Sequence, residues 1–202
     1  RTKDFFEKEI LDGVLEANLE MRKKGIFLDI GSNIGNHTLY MFQKDLVTSA
    51  YCFEPVQDTF QILKKNISIN NLENKVKLFN VGVGESQGKA QIACYTTNNT
   101  GMTQLKLSNN GNIPIIAIDD IKFEQNISCI KIDVEGFELN VIKGMRNTIQ
   151  KHKPTLFIEI RNPFFEEIHK LLQPFGYEYS IFDDENSESS VNNYLFFIAS
   201  ME

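Results

Sequence analysis

Apolar residues recur along the chain with two different periods, and the alternation between them predicts the fold. Over residues 4–21, Phe6, Ile10 and Val14 and, beside them, Leu11, Leu15 and Leu19 fall at helical spacing, so an amphipathic helix over residues 1–22 opens the chain. A short apolar run of strand length, "GIFLDI" (25–30), comes next. Helical spacing returns over 39–46, "SAYCFE" (49–54) reads as a second buried strand, and "VQDTFQILKKNISIN" (56–70) fits a helix started just after Pro55. "KVKLFNVGV" (75–83) reads as a third strand. Strands that are apolar almost throughout and alternate with helices predict a parallel sheet covered on both faces.

The middle of the chain breaks this rhythm. "GKAQIACY" (88–95), "TQLKL" (103–107) and "IPIIAID" (113–119) are all strand-like, and Asn110-Gly111 between the last two is a hairpin signal. Residues 85–118 therefore read as a β-rich excursion beside the main sheet. The alternation resumes with a strand at "ISCIKIDV" (127–134), a helix near 137–150, "TLFIEI" (155–160) and a helix at 163–173. Strands at 177–182 and 194–199, joined by the acidic loop "DDENSESS" (183–190), are close enough to pair antiparallel at the sheet edge. The expected architecture is one α/β domain over 1–202. Its core is a doubly wound, mostly parallel seven-stranded sheet with helices on both faces and an antiparallel last strand.

Composition narrows the function classes. The 202 residues are 42% hydrophobic and 24% charged, as in ordinary globular proteins, and the net charge of −6 speaks against a nucleic-acid partner. No apolar run has the length of a membrane span. The chain opens on Arg1, which leaves room for an upstream targeting or anchoring segment. Cys52, Cys94 and Cys129 form no Cys-x-x-Cys pair, and their odd number and spacing fit reduced thiols and a cytoplasmic address. Asn-x-Ser/Thr triplets at Asn36, Asn66, Asn98 and Asn126 read as chance in an asparagine-rich chain.

The chemistry concentrates in "FLDIGSNIGNHT" (27–38), a strand, a glycine turn and a helix start in that order. Such a turn gathers backbone N–H groups, and glycine lets the main chain approach a ligand. A dinucleotide site would have Gly-x-Gly-x-x-Gly, yet here the order is Gly31-Ser32-Asn33-Ile34-Gly35. The Gly-Lys-Ser/Thr of a nucleoside-triphosphate loop is also missing. Asp29 would repel a pyrophosphate but suits a ligand with positive charge, such as the ammonium and sulfonium of S-adenosylmethionine. Glu54 ends the second strand, where a carboxylate can accept hydrogen bonds from ribose hydroxyls; alternatively it caps the helix after Pro55.

Together with "FLDIGSNIGNHT" and "CFEP", the segment "IKIDVEGFELNVIKGM" (130–145) resembles the FkbM-type branch of class I S-adenosylmethionine-dependent methyltransferases. The resemblance runs from the opening helix to "PTLFIEI", and the Asp-Val-Glu-Gly-x-Glu block is specific to the branch. It implies a Rossmann-like methyltransferase fold and O-methylation of a hydroxyl on a sugar, glycoconjugate or related natural product. It also implies a cofactor site built from Asp29, Gly31, Ser32, Asn33, Gly35, Asn36, His37 and Thr38, with Glu54, Pro55, Val81, Gly82 and Asp133. His37 departs from the family, which often has an aromatic ring there.

Methylating an alcohol requires that its proton be removed, and the candidate catalytic carboxylates are Asp133, Glu135 and Glu159. Asp133 and Glu135 point to one side if strand geometry continues past Asp133. The same acids can instead hold a divalent metal, with Asp133 and Glu159 as ligands joined by water. Glu138, and in one reading Glu135, is an early-helix acid complementing the helix dipole. His37 reads as a pocket wall before a base, and His152 and His169 as helix-surface residues. Phe164 and Phe165 either roof an acceptor pocket or pack the core. Two competing functions are a non-catalytic scaffold that keeps the cofactor and an NAD-linked oxidoreductase; the missing middle glycine disfavours the latter.

Overall fold

The apolar runs assemble into two sheets in the computed structural model, which describes residues 24–94, 103–181 and 191–198. The expected opening helix, the acidic loop at 183–190 and Asn98 lie outside the described residues. The main sheet contains β1 (Ile26–Ile30), β2 (Ser49–Phe53), β3 (Val76–Phe79), β8 (Ile127–Ile132), β9 (Thr155–Arg161), β10 (Tyr177–Ile181) and β11 (Val191–Ile198). Its order is β10-β11-β9-β8-β1-β2-β3. The first five elements of that ladder to pair in sequence run parallel, whereas β11 lies antiparallel between β9 and β10.

Strand alternation separates two cores. Ile26, Leu28 and Ile30 of β1 join Ile130, Ile132, Ile158 and Ile160 on one face. That face is covered by α3 (Glu138–Lys143), α4 (Arg146–His152) and α5 (Phe165–Leu172), through Val141, Ile142, Ile149, Ile168 and Leu172. Phe27, Cys129 and Phe157 face the other way, against Tyr40 and Met41 of α1 (Asn36–Gln43) and Leu63 and Ile67 of α2 (Gln57–Ile69). The order turns back between β1 and β8, the switch point outside whose carboxyl ends an open α/β sheet binds its ligand. No helix among the described residues is long and apolar enough to cross a membrane.

Three expectations are corrected. The third strand ends at Phe79, and the chain then passes to a second sheet, whose order is β4-β7-β5-β6. These strands are β4 (Gly82–Val83), β5 (Gly88–Cys94), β6 (Gln104–Leu107) and β7 (Ile113–Ile116). The Asn80 side-chain amide marks the break by donating to the carbonyls of Glu54 (2.8 Å) and Pro55 (3.3 Å). Asn110-Gly111 does not make a β6–β7 hairpin, because β5 lies between those strands. A Cβ on Gly111 would lie 2.1 Å from the Ala90 carbonyl oxygen, so glycine is what lets the connection cross over β5. The helix expected over 137–150 is broken at Gly144-Met145. There the Gly144 carbonyl accepts from the Asp119 N–H (3.0 Å), and the Asp119 carboxylate caps the new start by accepting from the N–H groups of Asn147 (3.0 Å) and Thr148 (2.8 Å).

Candidate functional site

The glycine turn leaves β1 through left-handed residues Gly31 (φ 77°), Asn33 (φ 49°) and Gly35 (φ 91°) and delivers the chain into α1. Gly31 is required by its neighbour, since a Cβ there would sit 1.8 Å from the Asp133 carbonyl oxygen at the end of β8. Four of the turn's N–H groups are engaged within the chain. Those of Gly31 and Ser32 donate to the Phe53 carbonyl (3.0 Å each), that of Gly35 to the Ser32 carbonyl (2.8 Å), and that of Asn33 to Glu54 Oε2 (3.0 Å). A pyrophosphate would find those donors taken.

Beside this turn lies an open cleft of about 590 Å³, solvent at its mouth included. It brings together Gly31, Asn33, Glu54, Pro55, Val81, Gly82, Asp133 and Glu135 from the expected site. Phe53, Val56, Val83, Val134 and Phe137 give it an apolar wall, Val83 and Leu105 reaching it from the second sheet and Thr103 from just before β6.

Asp29, Ser32, Gly35, Asn36, His37, Thr38 and Glu159 are not part of this lining. Asp29 is fully buried one layer below, on the Phe27 side of β1, where Oδ2 accepts from the Thr38 hydroxyl (2.6 Å). The Ser32 hydroxyl donates to the Asp29 carbonyl (2.6 Å). These residues therefore build the turn from beneath. The His37 ring lies 6.2 Å from the Phe157 ring, on the α1 face of the sheet. Phe165 packs in the aromatic core, stacked on Tyr194 at 4.5 Å.

Glu54 has the capping role expected of it as the alternative, and it also faces the cleft. Its Oε1 accepts from the N–H of Val56 (2.8 Å), the residue preceding α2, while the carboxylate lines the cleft. Each carboxylate oxygen retains a lone-pair site for a further donor. Burial, only partly offset by the two backbone hydrogen bonds, pushes its pKa up to about 7.

The acids of the Asp-Val-Glu-Gly-x-Glu block converge by a different route from strand alternation. β8 ends at Ile132, and Glu135 (φ 54°) and Gly136 (φ 96°) form a left-handed turn. That turn, with β9 alongside, brings carboxylate oxygens of Asp133, Glu135 and Glu159 within 4.8 Å of one another. Glu138 is more than a dipole-complementing acid: it is 1% exposed and its Oε1 accepts the Gly136 N–H (2.6 Å), closing the turn. Burial, reinforced by the charge of Asp133, raises its pKa.

Two cations that the sequence reading passed over complete the cluster. Lys131, buried in β8, donates to Asp133 Oδ2 (3.0 Å) and to the Gly31 carbonyl (2.9 Å), tying the acids to the glycine turn. Arg161 Nη2 pairs with Glu135 Oε2 at 2.7 Å. The sequence signal was a basic residue two positions from an acid on each strand, Lys131 before Asp133 and Arg161 after Glu159. Three clustered carboxylates have the donor set for a divalent ion, but two of them already face a protein cation.

A family model described as the methyltransferase FkbM domain matches residues 29–179. The chain is 28% identical over 147 residues to the hexuronic acid methyltransferase AglP of Haloferax volcanii, covering 71% of this chain and 58% of that protein. The crystal structure of a methyltransferase FkbM from Methylobacillus flagellatus superposes with a TM-score of 0.63 at 20% identity, covering 88% of this chain and 45% of that one. That of M. capricolum TrmK in complex with S-adenosyl-homocysteine gives a TM-score of 0.54 at 15% identity, covering 93% and 70%. The chain thus spans less than two thirds of the Haloferax protein and less than half of the FkbM structure. At these identities the two structural likenesses speak for the fold.

Proposed function

Because the chain belongs to the FkbM methyltransferase domain family and has the Rossmann-like fold of class I methyltransferases, we propose that it uses S-adenosylmethionine to O-methylate a hydroxyl of a sugar, glycoconjugate or related small molecule. One observation carries this reading: a single cleft has the Glu54 carboxylate and an apolar wall on one side and Asp133 and Glu135 on the other. Glu54 would receive the ribose hydroxyls, and Phe53, Val56 and Val81 would cover the base. The missing middle glycine, with the N–H groups of Gly31, Ser32, Asn33 and Gly35 already engaged, disfavours a dinucleotide. The hexuronic acid relative supports a sugar acceptor and a place in glycan biosynthesis.

The bound donor supplies an electrophilic methyl carbon on a sulfonium. The chain's task is to hold the acceptor oxygen against it, which can supply ~7–11 kcal/mol. Removing the hydroxyl proton adds ~10²–10⁴-fold, and the clustered carboxylates of Asp133, Glu135 and Glu159 would take it. Lys131 and Arg161 orient two of those acids through their ion pairs.

Glu135→Gln and Glu159→Gln test the proposal. Each should lower kcat by about 100-fold or more while leaving donor affinity within about threefold, the pattern of an interaction made with the acceptor or in the transition state. Near-parental turnover in both would remove Glu135 and Glu159 from catalysis. EDTA should leave the parental rate unchanged, with Lys131 and Arg161 as the site's cations. Loss restored by magnesium would instead make the three acids metal ligands.

A further inference from the structure

The second sheet stands outside the strand ladder that builds the glycine turn, yet Gly82 and Val83 of β4 and Leu105 of β6 line the cleft, with Thr103 just before β6. Gly82 fixes which end Leu105 occupies. A Cβ at Gly82 would meet Leu105 Cδ1 at 3.1 Å and Ile115 Cδ1 at 2.5 Å, so both side chains occupy the space that a larger residue would fill. Gly82 follows directly on the break after β3, where the Phe79 carbonyl accepts the Glu54 N–H (3.1 Å) and the Asn80 amide reaches the Glu54 carbonyl (2.8 Å). Leu105 therefore stands at the Glu54 end of the cleft. It is half-buried, one side packed on Ala90, Ile113 and Ile115 and the other contributing to the cleft wall.

We propose that Leu105 is a cofactor-binding residue: the second sheet walls the adenosine half of the site, and Leu105 packs against the purine. The inference rests on the S-adenosylmethionine reading. Glu54 addresses ribose hydroxyls, and the adjoining surface of Phe53, Val56, Val81 and Leu105 offers an apolar slot for a flat, weakly polar ring. Gly82 then acts at one remove, by letting Leu105 and Ile115 approach. The β-rich excursion becomes a working wall of the donor site.

The test is calorimetric titration of the full chain with S-adenosylmethionine and, separately, with methylthioadenosine, which keeps the adenosine but lacks the amino-acid arm. Leu105→Ala should weaken both by a similar factor, about 5–20-fold, as expected for loss of a buried aliphatic contact. Leu105→Met, which conserves volume, should stay within about threefold. Leu107→Ala, on the same strand but 55% exposed and outside the cleft, should leave both affinities unchanged. Hydrogen exchange adds a readout on the parent chain: amides of 104–107 should slow when methylthioadenosine binds. Unchanged affinity of Leu105→Ala for both probes, or a defect confined to the acceptor KM, overturns the proposal. A parent chain that binds neither probe overturns the donor reading itself, which is a distinct result.

Discussion

At the scale of single residues, the burial of Glu54 at the end of β2 has a measurable consequence. Its pKa of about 7 leaves the carboxyl partly protonated near neutrality in the free protein. Ribose hydroxyls donate to the ionised form, so donor binding should release a proton near pH 7. Affinity should rise by up to about tenfold per pH unit below 7 and level off above it. Calorimetry in buffers of different ionisation enthalpy reads the proton directly, and Glu54→Gln should abolish its release. The stability of the free protein should run the opposite way. A carboxyl raised from 4.5 to about 7 contributes most below pH 4.5, and that contribution, roughly 3 kcal/mol, is lost as pH rises to 7 and beyond. Asp29 shows the limit of residue-level reading. Its charge pointed to a ligand, but strand alternation sends it beneath the turn to Thr38, a fact visible only once α1 is in place.

Among elements, the regular pieces were legible and the breaks were not. Continuous apolar runs gave β1, β2, β8 and β9 their places because burial on both faces leaves no other reading. The end of β3, the β6–β7 connection and the Gly144 break depend on close contacts between segments distant in sequence, which no local pattern carries. Gly31 tests this distinction. Alanine there would have φ 77° and a Cβ 1.8 Å from the Asp133 carbonyl oxygen, so the ends of β1 and β8 must part. Gly31→Ala should cost more than about 3 kcal/mol in denaturant unfolding and abolish donor binding. Gly88→Ala, with nothing within 4 Å of its Cβ, should be within about 0.5 kcal/mol of the parent. Glu138 tests the acid turn in the same way. Alanine strands the Gly136 N–H and should cost about 1–3 kcal/mol and lower kcat, whereas glutamine retains an acceptor oxygen and should keep most of both.

For the whole molecule, the cleft depends on parts that fold from separate stretches of chain. The glycine turn and Glu54 come from the first two strands, Asp133 and Glu135 from the end of β8, and Leu105 from the second sheet. A ligand touching all of them is bound by the folded chain and not by the unfolded one, so it must stabilise the protein by mass action. At a donor concentration one hundred times the dissociation constant the gain is about 2.7 kcal/mol. For a domain of this size that raises Tm by roughly 5–10 °C. S-adenosylmethionine should give that rise in a thermal melt. NAD at equal concentration should give none, because the turn lacks the middle glycine of a dinucleotide site and the N–H groups of Gly31, Ser32, Asn33 and Gly35 already serve Phe53, Glu54 and Ser32. A comparable rise with NAD would overturn the assignment of the cleft to a methyl donor.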